Sequence, residues 1–96
     1  MAKLKPDWCR TCQRQTMLTF HHLIPRKMHR RTHFKKHFTK EQLQAGIMLC
    51  RTCHSGIHKR YSEMQLATLF NNEALLLNDP ELERFFTWVS KQKIQA

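Results

Sequence analysis

No apolar run in this sequence approaches the length of a membrane span, which argues against a spanning helix. The opening stretch MAKLKPDWCR is polar, so we expect no secretory signal peptide and a cytoplasmic, reducing setting. Acidic residues are few, 7 against 17 Lys and Arg. Glycine and proline number two and three. No low-complexity linker and no repeat beyond a CxxC pair interrupts the chain, so residues 1–96 read as one domain. A chain of 96 residues buries only a small core and often needs a disulfide or metal staple.

What is present is concentrated in the first part. Residues 1–60 hold 14 Lys/Arg and 2 Asp/Glu, a net charge of +12, and all seven histidines. Residues 61–96 hold 3 and 5, a net charge of −2. This asymmetry points to a polyanionic partner at one face. A generic solubility charge is the plainer alternative, but the charge shares its segment with every Cys and His.

Local patterns predict an α+β fold. TMLTFHHLI is rich in Thr, Phe, Leu and Ile and suits a strand; Pro25 should end its pairing. In the basic segment that follows, Met28, Phe34 and Phe38 form a weak helical stripe. Thr39 with Gln42 fits a capping box, and Gly46 a helix stop. IMLC reads as a second strand. Ser62 with Gln65 is a further capping box, and Asp79-Pro80 a strong helix start. Beyond it Leu82, Phe85, Phe86 and Val89 share a face, with Trp88 beside them. We expect residues 7–60 to form the working core and residues 61–96 to supply supporting helices, their Leu and Phe residues in the core.

Cys9-x-x-Cys12 and Cys50-x-x-Cys53 suit a structural Zn²⁺ with four thiolates, two from each turn. Free core cysteines are the alternative. A site with all four positions filled leaves none for water or substrate, so any chemistry lies elsewhere. His54 and His58 are four residues apart, a spacing that places both on one face of a helix. Taken alone, two solvated histidines on a basic helix are the plainer alternative. Adjacent strand residues point to opposite faces, so His21 and His22 should do different jobs. A strand bearing them beside a helix bearing His54 and His58 could hold a second, open metal site. His29, His33 and His37 repeat every four residues; they read as basic surface or packing for Phe34 and Phe38 rather than a metal site. Trp8 reads as a core aromatic.

The order CxxC, then HHLIPR, then LCRTCHSGIH resembles the HNH endonuclease family, with its ββα-metal fold, and within it the small YisB-like members. YSEMQLATLF and DPELERFFTWVSKQ continue the likeness. The resemblance implies that His21 is a metal ligand, His22 the general base, and His54 and His58 the remaining ligands. It implies a divalent ion, Mg²⁺, Mn²⁺, Ni²⁺ or Zn²⁺, in addition to the structural zinc. The implied reaction is hydrolysis of a nucleic-acid phosphodiester, usually in DNA, by a monomer or weak dimer. Arg26, Lys27, Arg30, Arg31, Lys35 and Lys36 are the candidates to clamp phosphates. The chain departs from the family's pattern by having no Asn between His22 and Cys50; Gln42, Gln44 or a backbone contact are the available substitutes. Two other classes compete: a non-catalytic zinc module that binds nucleic acid, and a protein-interaction domain built on the C-terminal helices.

Overall fold

The computed structural model describes residues 7–93. Two short antiparallel pairs and a set of short helices make an α+β structure. β1 (Asp7–Trp8) pairs with β2 (Gln15–Thr16) around the first CxxC turn. β3 (Leu18–His22) pairs with β4 (Gly46–Cys50), Leu18 opposite Cys50 and His22 opposite Gly46. Between β3 and β4 lie a 3-10 turn at Arg26–Met28, α1 (Thr32–His37) and α2 (Lys40–Gln44). After β4 come α3 (Arg51–Arg60), α4 (Glu63–Leu69), α5 (Glu73–Leu77) and α6 (Pro80–Ser90). No helix among the described residues is long and apolar enough to cross a membrane.

The alternation of β3 and β4 decides which residues meet the core. Thr19, His21, Ile47 and Leu49 face inward, and Leu49 and His21 are wholly buried. Phe20 and Met48, opposite each other, face outward and stay exposed. β4 runs straight into α3, and Cys50 caps that helix, its sulfur accepting from the Cys53 N–H at 3.4 Å. The capping boxes at Thr39 and Ser62 form as their spacing predicts. Asp79 caps α6, its carboxylate accepting from the Leu82 N–H at 3.1 Å. The main core gathers Ile57 of α3 with Leu66, Leu76, Leu82 and Val89 of the three helices that follow. A smaller cluster holds Ile24, Met28, Phe34 and Leu43 over Ala67.

Several expectations change in the folded chain. Trp8 is 60% exposed rather than core. It lies in a strand whose next residue, Cys9, turns into the cysteine cluster, so alternation points Trp8 outward. Gly46 does not end α2; Ala45 does so in an extended conformation. Gly46 opens β4 instead, where a Cβ would meet the His21 carbonyl and the Phe20 ring. Met28, Phe34 and Phe38 share a cluster, but across the 3-10 turn and α1 rather than along one helix. Leu69 and Leu75 are exposed, while their neighbours Leu66 and Leu76 carry the packing.

Candidate metal centres

The cysteine cluster joins the two sheets. Cys9, Cys12, Cys50 and Cys53 are all buried, with sulfurs within 4.8 Å of one another. Cys12 Sγ and Cys50 Sγ lie 3.7 Å apart. That is the edge of a tetrahedron with zinc–sulfur bonds of about 2.3 Å, which spans about 3.8 Å. Backbone donors already point at the sulfurs: the Cys50 N–H donates to Cys9 Sγ at 3.2 Å. The first turn reverses at Gln13, which holds a left-handed φ of 64°. Hydrogen bonds from Cys50 and Cys53 hold the Cys9 thiol well below its ordinary range. The Cys53 thiol is pushed up by its bonds with Cys50 and Cys9, and burial pushes up Cys12. One thiolate can be supported by neighbouring S–H groups; four at this spacing need a cation among them. These four cysteines could bind a structural zinc. The Arg14 guanidinium also donates to Cys12 and Cys50 at 3.4 Å each, drawing charge off two of the sulfurs.

The second cluster is built by β3 and α3. One nitrogen each from His21, His54 and His58 fall within 4.8 Å of one another. His21 sits at the bottom, with ring centroids 5.2 Å from His54 and 5.5 Å from His58. It is fully buried, and among the described residues neither Nδ1 nor Nε2 has a hydrogen-bond partner. Buried polar atoms are rarely left so, because an unmet group costs about 1–3 kcal/mol. Burial pushes the His21 pKa down to about 3, helped by His54 and His58. His54 is lowered for the same reasons in the same order, burial and then His58. His21 and His54 are therefore poor at holding protons and free to offer lone pairs. A cation that prefers imidazole nitrogen fits this all-histidine set.

Thr19 fixes one of these rings, and nothing in the sequence flags it. Its hydroxyl donates to the Leu49 carbonyl at 3.1 Å and lies 2.9 Å from His54 Nδ1. A hydroxyl has one hydrogen, so His54 Nδ1 must be the donor to it. His54 Nε2 then keeps its lone pair, the one nitrogen of this ring left to serve as a ligand.

His22 turns the other way along β3, as strand geometry requires. Its ring packs edge-on to Phe20 at 4.8 Å and to His29 at 5.6 Å. It is half-buried. Burial lowers its pKa, aided by His29 and Arg26, while the Gln44 side chain pulls it back up. Gln42 is occupied by its capping box, its side chain accepting from the Thr39 N–H at 2.8 Å. His29 does not align with His33 and His37 on one helix. It lies before α1, and its Nε2–H donates to the Ile24 carbonyl at 2.7 Å. His33 and His37 pair on the exposed face of α1 with ring centroids 4.6 Å apart.

The six basic residues from Arg26 to Lys36 are all exposed. Arg26 is near enough to His22 to depress its pKa. Lys27 is drawn away toward Glu63, 3.5 Å from its carboxylate.

No family model matches the chain, and no solved structure matches it significantly. The chain is 37% identical over 93 residues to a protein of Bacillus subtilis strain 168 described as the uncharacterized protein YisB. The alignment covers 96% of this chain and 82% of that protein. The chain belongs to the family of YisB.

Proposed function

We propose that this protein is a metal-dependent endonuclease of the HNH type that hydrolyses phosphodiester bonds in DNA. One observation carries the reading: His21 is fully buried, its ring nitrogens without a partner among the described residues, and it clusters with His54 and His58. The adjacent His22 faces away from them and stays half-buried. The β3–β4 pair leading directly into α3 supports a ββα-metal arrangement. Cys9, Cys12, Cys50 and Cys53 would hold a zinc that is purely structural, since all four of its positions are filled.

His21, His54 and His58 would hold the catalytic ion. A divalent cation there supplies charge stabilisation for the phosphoryl oxygens and the leaving oxygen. The other work falls to the chain. His22, with a lowered pKa, is neutral near pH 7 and accepts a proton from water as its oxygen attacks phosphorus in line. The bond from phosphorus to the 3′ oxygen breaks, and that oxygen takes a proton from solvent. Arg26, close enough to His22 to lower its pKa, would hold a phosphate against the base. Arg30, Arg31, Lys35 and Lys36 extend that basic surface and would position the backbone without reading sequence.

Supercoiled plasmid is the direct substrate for testing this. It should be nicked or cut in one or more of Mg²⁺, Mn²⁺, Ni²⁺ and Zn²⁺. His22→Ala should slow cutting by about 10²–10⁴-fold. Binding without cutting in every metal would replace the enzyme with a non-catalytic zinc module. Cutting that survives His22→Ala would remove His22 from the base role.

A further inference from the structure

α3 carries two kinds of chemistry. His54 and His58 turn toward β3, while Arg51, Ser55 and Lys59 line an open groove of about 1870 Å³ bounded by β2 and α6. Among the described residues, seven Lys and Arg line that groove against one acid, Glu81. Residues 61–96 carry a net charge of −2, yet the fold brings their three cations, Arg84, Lys91 and Lys93, into the same groove.

The groove also contains an aromatic platform. Trp88 is 56% exposed, and its ring stacks on Phe85 at 6.2 Å with 24° between planes. The Arg60 guanidinium lies 4.0 Å from the Phe85 centroid. Phe85 is seated over Gly56, where any Cβ would collide with its ring, so the platform is locked to α3. A tryptophan is expensive to leave in water. Among cations, its free face suits a ligand that is flat, aromatic and anionic together.

We propose that this groove binds a single strand of nucleic acid, with phosphates along Arg51, Lys59, Arg84 and Lys91 and an unpaired base stacked on Trp88. Duplex bases already stack on one another and offer no free face. An acidic peptide would meet the cations and leave the tryptophan unused. Phosphate contacts with base stacking are sequence-tolerant and salt-sensitive. This deepens the nuclease reading by naming an unpaired strand as the substrate form, and it rests on that reading for this step only; the binding stands without it.

The test is fluorescence anisotropy on the zinc-loaded full chain, with labelled oligothymidylate and a duplex of equal length. Oligothymidylate should bind more tightly. Trp88→Ala should weaken it by about 5- to 150-fold, and Trp88→Phe should recover most of the loss. Arg84→Glu combined with Lys91→Glu should weaken it further and flatten the salt dependence. In a Trp8→Phe chain, Trp88 is the one tryptophan left, and its emission should fall as the strand binds. Wild-type affinity in a folded Trp88→Ala chain, equal affinity for the duplex, or equally tight binding of polyglutamate would overturn the assignment. A chain that binds through Trp88 but cuts no plasmid sinks the nuclease reading alone. One that cuts while ignoring Trp88 sinks the groove alone.

Discussion

The Thr19 hydroxyl lies 2.9 Å from His54 Nδ1 and donates onward to the Leu49 carbonyl. This short relay from β3 to α3 sets the tautomer of a histidine that clusters with His21 and His58 and leaves its Nε2 with a free lone pair. Thr19→Val keeps the shape and removes the relay. It should weaken metal binding at the three-histidine site by about 10–100-fold, read by titration with Co²⁺ or Ni²⁺. Zinc content at the cysteines should stay at one per chain. An unchanged titration would show that Thr19 does not orient the ring.

Zinc removal should unfold the protein rather than loosen it. The cysteine cluster ties the β1–β2 turn to the end of β4, and Cys50 caps α3. Structural zinc contributes about 10–16 kcal/mol in small domains, at least as much as the typical net stability of about 5–15 kcal/mol. A strong chelator, or Cys53→Ser, should therefore abolish most of the helical circular dichroism and the cooperative melt. A cooperative melt that persists in chelator would place the stability in the helical core instead.

Local signals were legible and converging ones were not. Alternation separates His21 from His22 because the strand period involves only neighbouring residues. The boxes at Thr39 and Ser62, and Asp79 before Pro80, are readable for the same reason. α5 has a comparable cue in Asn72, whose side chain accepts from the Leu75 N–H at 2.9 Å. The position of His29 beside His22 depends on the chain folding back through the Arg26–Met28 turn. The basic groove was hidden because its cations come from segments of opposite net charge. The outward turn of Trp8 depends on where its two-residue strand pairs.

Gly46 should resist even the smallest substitution. A Cβ there would meet both the Phe20 ring and the His21 carbonyl. Gly46→Ala should destabilise by about 1–3 kcal/mol, measured by chemical denaturation. Phe20→Leu in the same chain should recover only part of this. A side chain can move aside, but the His21 carbonyl belongs to the β3–β4 ladder. Full recovery in the double variant would assign the whole cost to the ring.

The pH dependence separates His22 from His21. A lowered pKa keeps His22 neutral to below the ordinary value of about 6.5, so on the proposed nuclease reading cutting should lose its base as pH falls through a point below 6.5. His29→Gln keeps a donor for the Ile24 carbonyl and removes a ring that depresses His22. The acid limb and the His22 imidazole NMR titration should then move up together, toward 6.5. His21 acts on stability instead. Its folded pKa is pushed down to about 3, so between about 6.5 and 3 the unfolded chain binds more protons than the folded one. Without a bound ion, stability should be flat with respect to His21 above pH 6.5. It should fall below that by up to about 1.4 kcal/mol per pH unit from this group. His21→Gln should flatten that slope without moving the His22 titration toward 6.5. Were the slope unchanged, the acid sensitivity would have to come from other groups than the buried His21.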